Sequence, residues 1–420
     1  MKENAKILIV VDSINVEDSS GSKANVAIIN NLVVAGFEVL VYHYTLRNIQ
    51  LKGATCFAIP EKKWNLNYIL SRTQRVLIRN LKIELSYFFE SKLGFSFTFF
   101  NDTNSIFKAL KKCDFHPDLV ITLSKGGSFR PHYALLNLPE WHDKWMAYVH
   151  DPYPFHYYPR PYNWVEVSHQ FKERFFLKVS EKAKYSAFPS QLLAEWMGSY
   201  FPNFLKTAVI IPHQNAQYEK QNLHEFIFPE YFDNTKFNLL HAGNLMKQRS
   251  PEGLIEGFKL FLEQHPQAKK ESKLVLLGSA EYHTEMLKKY QIDHPEIYIF
   301  NGNVAFETVY ELQKNASVNI ILEAKSEISP FLPGKFTHCI EANKTILLLS
   351  PFYSETKRLL GKDYIFCSEV DDVQKIAILL GKMYQIWKHN PKDLLLNRAD
   401  LVKYLSFTHL KTTIENLDLK

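Results

Sequence analysis

The sequence has 420 residues, of which 46% are apolar and 14% aromatic, and it carries a formal charge of +6. This length exceeds one ordinary core and suits two domains of roughly 200 residues each. No run of ~18 uncharged apolar residues occurs, which excludes a membrane-spanning helix; the small positive excess fits anionic lipid or phosphorylated substrates and is too weak to indicate nucleic acid.

Met1–Lys6 is charged and leads directly into KILIVVD. It lacks the apolar run and small-residue cleavage site of a signal peptide, so the expected location is cytoplasmic. Lys6–Asp12 reads as a buried strand, Ser22–Ala35 as a helix closed by Gly36, and Phe37–His43 as the next strand. Asp118–Leu123, Trp145–His150, Ser186–Pro189 and Val209–Pro212 continue the strand series. Strands also appear at Phe237–Ala242, Lys273–Leu277, Ile297–Phe300, Val318–Leu322 and Thr345–Leu349. Helices fit at Pro251–Glu263, Glu281–Tyr290, Glu307–Lys314 and Lys335–Ala342. Val370–His389 and Leu394–Leu417 read as helical. Alternating strands and helices predict α/β architecture: two doubly wound Rossmann-like domains, with ligands at the carboxyl ends of strands facing an inter-domain cleft. The expected divisions are residues 1–213, a linker at 214–234, a second domain at 235–390, and a C-terminal helix in 391–420 packing back on the first domain. Cys56, Cys113, Cys339 and Cys367 are far apart and form no CxxC pair, so neither a zinc site nor a disulfide framework is expected.

Four segments carry chemistry. In the loop DSINVEDSSGSKAN, Asp12–Asn25, small residues including Gly21 and Ser22 precede a helix whose N–H groups attract anions. In YVHDPYPFHYYP, Tyr148–Pro159, a strand end presents His150 beside Asp151. Prolines fix the backbone that follows, and Tyr153 and Phe155 offer flat surfaces for a sugar ring on the acceptor side. In HAGNLMKQR, His241–Arg249, Gly243 and Asn244 open a turn, and Lys247 and Arg249 stand at a helix start as a cationic clamp for a diphosphate. In EAKSEISPFLPGKFTHCIEANKTILLLSP, Glu323–Pro351, the N–H groups near Gly334 and the side chain of Lys335 suit phosphate or hydroxyl binding. Glu323, Glu327 and Glu341 are the carboxylate candidates there.

In this order the segments resemble the GT-B glycosyltransferases of retaining family four across nearly the whole chain. The resemblance implies a donor-phosphate loop at Gly21 and Ser22, a donor-sugar histidine at His150, and diphosphate-stabilising cations at Lys247 and Arg249. It also implies a nucleotide-side loop in LVLLGSAE, where a strand ends at Gly278, and a base-contacting loop at Asn303 and Val304. PGKFTHCIEANKTILL resembles the family's paired-glutamate region; His338 stands where the second glutamate is usual, and Thr345 where a proline is usual. Glu323 and Glu327 both fit the first glutamate.

The implied reaction moves a sugar from a nucleotide-sugar donor to a glycan, lipid-linked or other acceptor, with retention, in surface polysaccharide or glycoconjugate synthesis. No DxD pair stands at a strand end, Asp371–Asp372 falls at a helix start, and neither metal nor other cofactor is expected. Trp64–Phe89 reads as a basic amphipathic helical region, with Leu66, Leu70, Leu77, Leu81, Leu85 and Phe88 on one face and Arg72, Arg75, Arg79 and Lys82 on the other. Such a face suits an anionic membrane surface and hence a peripheral protein. Two alternatives share the pattern: a nucleotide-sugar epimerase, and a non-catalytic sugar-nucleotide-binding subunit to which His338 points.

Overall fold

The computed structural model describes residues 5–82, 85–215 and 226–419. The chain divides into two compact units. The first comprises Met1–Tyr158, Asn163–Tyr218 and Leu405–Lys420; the second comprises Pro159–Tyr162 and Glu219–Tyr404.

Unit 1 is built on seven parallel strands: β1 Lys6–Val11, β2 Glu38–His43, β3 Thr55–Ala58, β4 Leu119–Leu123, β5 Trp145–Tyr148, β6 Tyr185–Phe188 and β7 Ala208–Ile210. Their order is β3-β2-β1-β4-β5-β6-β7. Ile7 of β1 pairs with Val39 on one side and Leu119 on the other, so β1 is an interior strand. A strand covered on both faces reads as a continuous apolar run, as KILIVV and LVITL do. Side chains alternate between the faces. Ile7, Ile9 and Val11 enter one core with Ile28 and Leu32, while Leu8 and Val10 enter another with Trp145 and Phe176.

Unit 2 repeats this plan with β8 Phe237–Ala242, β9 Ser272–Leu277, β10 Ile297–Phe300, β11 Val318–Leu322, β12 Ile328–Ser329, β13 Thr345–Leu349, β14 Tyr353–Ser354 and β15 Cys367–Ser368. The main sheet runs β10-β9-β8-β11-β13-β15, and β12 pairs with β14 alone. Helices Glu252–Gln264 and Val373–His389 cover one face, with Phe258, Phe261, Ile376 and Leu380 in the core.

Three segments differ from expectation. Residues 216–225 of the expected linker lie outside the described residues. The remainder from Phe226 onward belongs to unit 2: Phe232 is buried there and Tyr231 stacks on Tyr298 at 4.1 Å. Its aromatic content gives it a core to join, which a polar linker lacks. The segment 391–420 is a short 3-10 turn, Pro391–Leu394, followed by two helices, Ala399–Tyr404 and Phe407–Glu415, rather than one helix. Asn397 has φ 52 and interrupts it. Phe407–Glu415 packs on Ser20–Val34 of unit 1, with Leu410 and Ile414 buried. Finally, Trp64–Phe89 holds two helices, Leu66–Leu81 and the start of Ser86–Leu93, broken after Lys82 at φ 57.

Candidate functional site

A group of ionisable side chains in unit 2 lies at the carboxyl ends of β8 and β11. After β8, Gly243 turns at φ +152. Its N–H donates to the Leu277 carbonyl at 2.8 Å, and Gly278, after β9, donates to Phe300 at 3.1 Å. The two turns nearly touch. A Cβ on Gly278 would lie 2.5 Å from the Gly243 carbonyl oxygen, and a Cβ on Gly243 would lie 2.6 Å from Lys335 Nζ. Both positions therefore require glycine. Asn244 fastens the loops together, its Oδ1 accepting from Ser279 N at 3.2 Å.

Lys335 opens the helix Lys335–Glu341, yet its amine folds back over the Gly243 turn. Nζ sits 3.3 Å from Nε2 and 3.4 Å from Nδ1 of His241. His241 is fully buried. Burial first, then Lys335 and Arg249, hold its imidazole well below the usual range, so the ring is neutral. Burial and the Arg249 charge bring the Lys335 amine down to about 7. Arg249 donates through Nη1 to the Asn244 carbonyl at 3.3 Å, and its buried Nε has no hydrogen-bond partner. Lys247, on the same turn, is exposed.

Glu323 immediately follows β11. It is 3% exposed, and neither carboxylate oxygen has a hydrogen-bond partner among the described residues. Burial pushes its carboxyl up to about 7, opposed by the nearby Thr356 and Ser329 hydroxyls and by Arg249. Glu327 is exposed, so of the two glutamates only Glu323 reaches the cluster. Glu341 is exposed and accepts from the Tyr310 hydroxyl at 2.6 Å. His338 packs edge-on against Phe306 with ring centres 5.1 Å apart; burial lowers its imidazole to about 4, so it is neutral.

Gly334 has no neighbour that a Cβ would meet, and the Phe336 N–H already donates to Pro333 at 2.8 Å. The expected row of unpaired amides is therefore shortened at Phe336. Asn303 is exposed, whereas Val304 packs on the cluster of Leu240 and Leu277. Asp372 caps the helix Val373–His389 and Asp371 pairs with Lys325, which gives this acidic pair a structural task.

Unit 1 holds a second polar group at its strand ends. His150 is 7% exposed, its N–H donates to Ser124 Oγ at 3.1 Å, and its Nε2 lies 2.7 Å from Asn25 Oδ1. Asn25 donates through Nδ2 to the Ser124 carbonyl at 3.1 Å, which orients the amide so that Oδ1 faces the ring. The imidazole thus donates from Nε2, leaving Nδ1 as a buried acceptor without a partner. Burial, then His213 and His132, hold it well below the usual range. Burial raises Asp151 to about 6, and the Tyr158 hydroxyl opposes this.

Asp12, at the end of β1, accepts from Ser128 and lies 3.6 Å from Arg130 Nη1. Arg130 Nε lies 3.0 Å from Asp102, which also accepts from the Tyr44 hydroxyl at 2.9 Å. Burial lifts Asp102 to about 6 despite Arg130.

Two expected residues of unit 1 face elsewhere. Ser22 is fully buried and its N–H is already capped by Ser19 Oγ at 3.1 Å. Tyr153 is 2% exposed, with its ring 4.5 Å from Phe129 and 5.1 Å from Phe176. It is a core residue and cannot stack on a sugar. Phe155 is half-buried against Trp164, and Gly21 starts the helix Ser20–Val34 beside Lys125. The sequence reading gave no role to His241, Asn25, Asp12, Asp102 or Arg130. A polar residue within the apolar run FNLLHA signalled His241; nothing in the spacing of Asp102 and Arg130 signalled their pairing.

No protein-family model matches the sequence, and neither does any curated protein. The fold does match solved structures. The N-terminal domain of Candida albicans trehalose-6-phosphate phosphatase aligns with a TM-score of 0.64 at 13% identity, covering 98% of this chain and 97% of that one. HepE of Anabaena, in complex with UDP and glucose, aligns at 0.58 and 9% identity, covering 98% of each chain. A glycosyltransferase of Rickettsia africae ESF-5 aligns at 0.56 and 13% identity, covering 99% and 94%. The fold is the two-unit α/β fold of GT-B glycosyltransferase structures.

Proposed function

We propose that this chain is a nucleotide-sugar-dependent glycosyltransferase whose donor diphosphate binds at Arg249, Lys335 and the Gly243 turn. One observation carries the reading: two cationic side chains and an unpartnered buried glutamate converge on a glycine turn at the strand ends of unit 2. Doubly wound sheets bind ligands at such ends. The similar structure with UDP and glucose supports the same ligand class.

In the reaction the bond from the sugar's anomeric carbon to the diphosphate oxygen breaks, and a bond to the acceptor oxygen forms. The acceptor proton passes to the departing phosphate, and the configuration is retained. Charge grows on the leaving oxygen, where Arg249 and Lys335 stabilise it, each worth ~3 kcal/mol of barrier. Glu323 accepts a donor hydroxyl, which satisfies its buried oxygens. In unit 1, His150 Nδ1 accepts a sugar hydroxyl, and the Asp12–Arg130–Asp102 group suits a polar acceptor. Cations replace a metal in this scheme, so turnover survives EDTA. The acceptor is a glycan or lipid-linked glycan of a surface polysaccharide, met at an anionic membrane face.

The test is nucleotide release from UDP-, GDP-, ADP- and CMP-sugars, with and without acceptor fractions. A changed sugar without acceptor identifies an epimerase. Donor binding without release under any condition identifies a non-catalytic subunit.

A further inference from the structure

Residues 61–92 carry seven Lys or Arg against three Glu, so four of the chain's six net positive charges fall in this one segment. Much of it forms the helix Leu66–Leu81, whose Leu70 and Leu77 turn inward while Ser71 is buried. Leu66, Ile69 and Val76 remain exposed, Leu66 by 70%. Positions 66, 69, 73, 76 and 80 share one stripe at helical spacing, and Arg72, Arg75 and Arg79 follow the adjacent row. This corrects the sequence expectation of apolar and basic residues on opposite faces: the exposed face carries both.

Arg72 is fixed by Glu61 at 2.8 Å and lies 4.9 Å from the Tyr68 ring centre. Arg75, Arg79 and Lys82 are exposed. Trp64, just before the N-cap Asn65, is 86% exposed on a backbone with φ 59. Asn65 anchors that turn through Asn101 at 2.7 Å. The next helix, Ser86–Leu93, exposes Tyr87 and Phe88.

We propose that this face of unit 1 docks on an anionic phospholipid surface, with Trp64, Leu66, Ile69 and Val76 entering the headgroup layer and Arg75, Arg79 and Lys82 meeting lipid phosphates. The proposal deepens the lipid-linked part of the functional reading. The composition selects the partner. Nucleic acid has no use for the apolar stripe. A second copy of the chain would bring the same positive charges against themselves. A bilayer interface takes both apolar side chains and cations, and aromatic rings favour its depth. No helix among the described residues is long and apolar enough to cross a membrane, so the contact lies in the surface plane.

The experiment uses the full chain with vesicles of phosphatidylcholine alone or mixed with phosphatidylglycerol, read by co-sedimentation and tryptophan fluorescence. Binding to mixed vesicles that weakens with salt is expected, with a blue shift that Trp64→Phe removes. Arg75→Gln/Arg79→Gln should lower that binding about thirtyfold, since each basic residue contributes about 1 kcal/mol. Equal binding to both vesicle types, binding to neither, or an unchanged double variant overturns the proposal. So does a concentration-dependent dimer lost in Leu66→Ser, which would assign the face to a second copy. Thermal melts establish that each variant is folded, and Trp64→Phe supplies an independent readout should another variant unfold. Calorimetry with nucleoside diphosphates tests the donor site separately, so failure on vesicles leaves that reading intact and the reverse also holds.

Discussion

At the proposed donor site, the position of the Lys335 amine would make diphosphate binding a proton-linked event. A fall from 10.5 to about 7 means that charging this amine within the protein costs about 5 kcal/mol more than in water. Burial and the Arg249 charge hold it there, while Cys339 on the next helical turn and Glu323 act in the opposite direction. A phosphate charge about 4 Å away returns about 4 kcal/mol at an effective dielectric of 20, lifting the amine back to about 10 in the complex. The complex then binds more protons than its separated components, so affinity falls as pH rises. It should be nearly flat below pH 7 and drop about tenfold per pH unit between about 7 and 9. Glu323 titrates near the start of this window, where its ionisation also disfavours an anion. The interval from about pH 8 to 9 therefore isolates Lys335. Calorimetry with UDP, GDP and ADP in buffers of different ionisation enthalpy reads the uptake directly: about half a proton at pH 7, approaching one at pH 8. Lys335→Met should lose the slope, the buffer dependence and about ten- to hundredfold in affinity at pH 7. A Met variant that keeps both slope and proton uptake refutes the argument.

Gly243→Ala places a methyl group 2.6 Å from Lys335 Nζ. Because φ +152 strains any residue with a side chain, the melting temperature should fall by several degrees, and nucleotide affinity should drop more than about tenfold as the Lys335 amine is displaced. Tyr153→Ala should destabilise the protein by about 3–5 kcal/mol, as loss of a buried aromatic does, measured by urea denaturation. A stable variant with weakened acceptor binding would restore the stacking role. Asn25→Ala strands the His150 Nε2–H and should cost about 1–3 kcal/mol in the same assay.

The fold was legible because parallel strands buried on two faces announce themselves as uninterrupted apolar runs. β1, β4, β8, β11 and β13 all stand within a residue or two of their expected places. β3, TCFA, escaped because an edge strand of four residues with an exposed Phe57 has no such run. The grouping of candidate residues was legible where one loop carries it, as Gly243 and Arg249 stand together after β8. It was illegible where the packing of distant segments decides the outcome. Tyr153 and Phe155 are two residues apart in one aromatic motif, yet one is core and the other rim. Asp102 and Arg130 meet only because the helices Phe97–Leu110 and Arg130–Leu136 pack together.

The helix Phe407–Glu415 gives unit 1 an unusual order of assembly. Its Leu410 and Ile414 complete the core around Ile7 and Ile28, residues encoded some four hundred codons earlier. During synthesis the first unit therefore emerges with one flank uncovered and stays so while all of unit 2 is made. Unit 1 gains its final packed helix only after unit 2 has been made. In the interval the uncovered side of the helix Ser20–Val34 is a natural place for a chaperone to hold, and a chain broken before Leu405 would leave it bare.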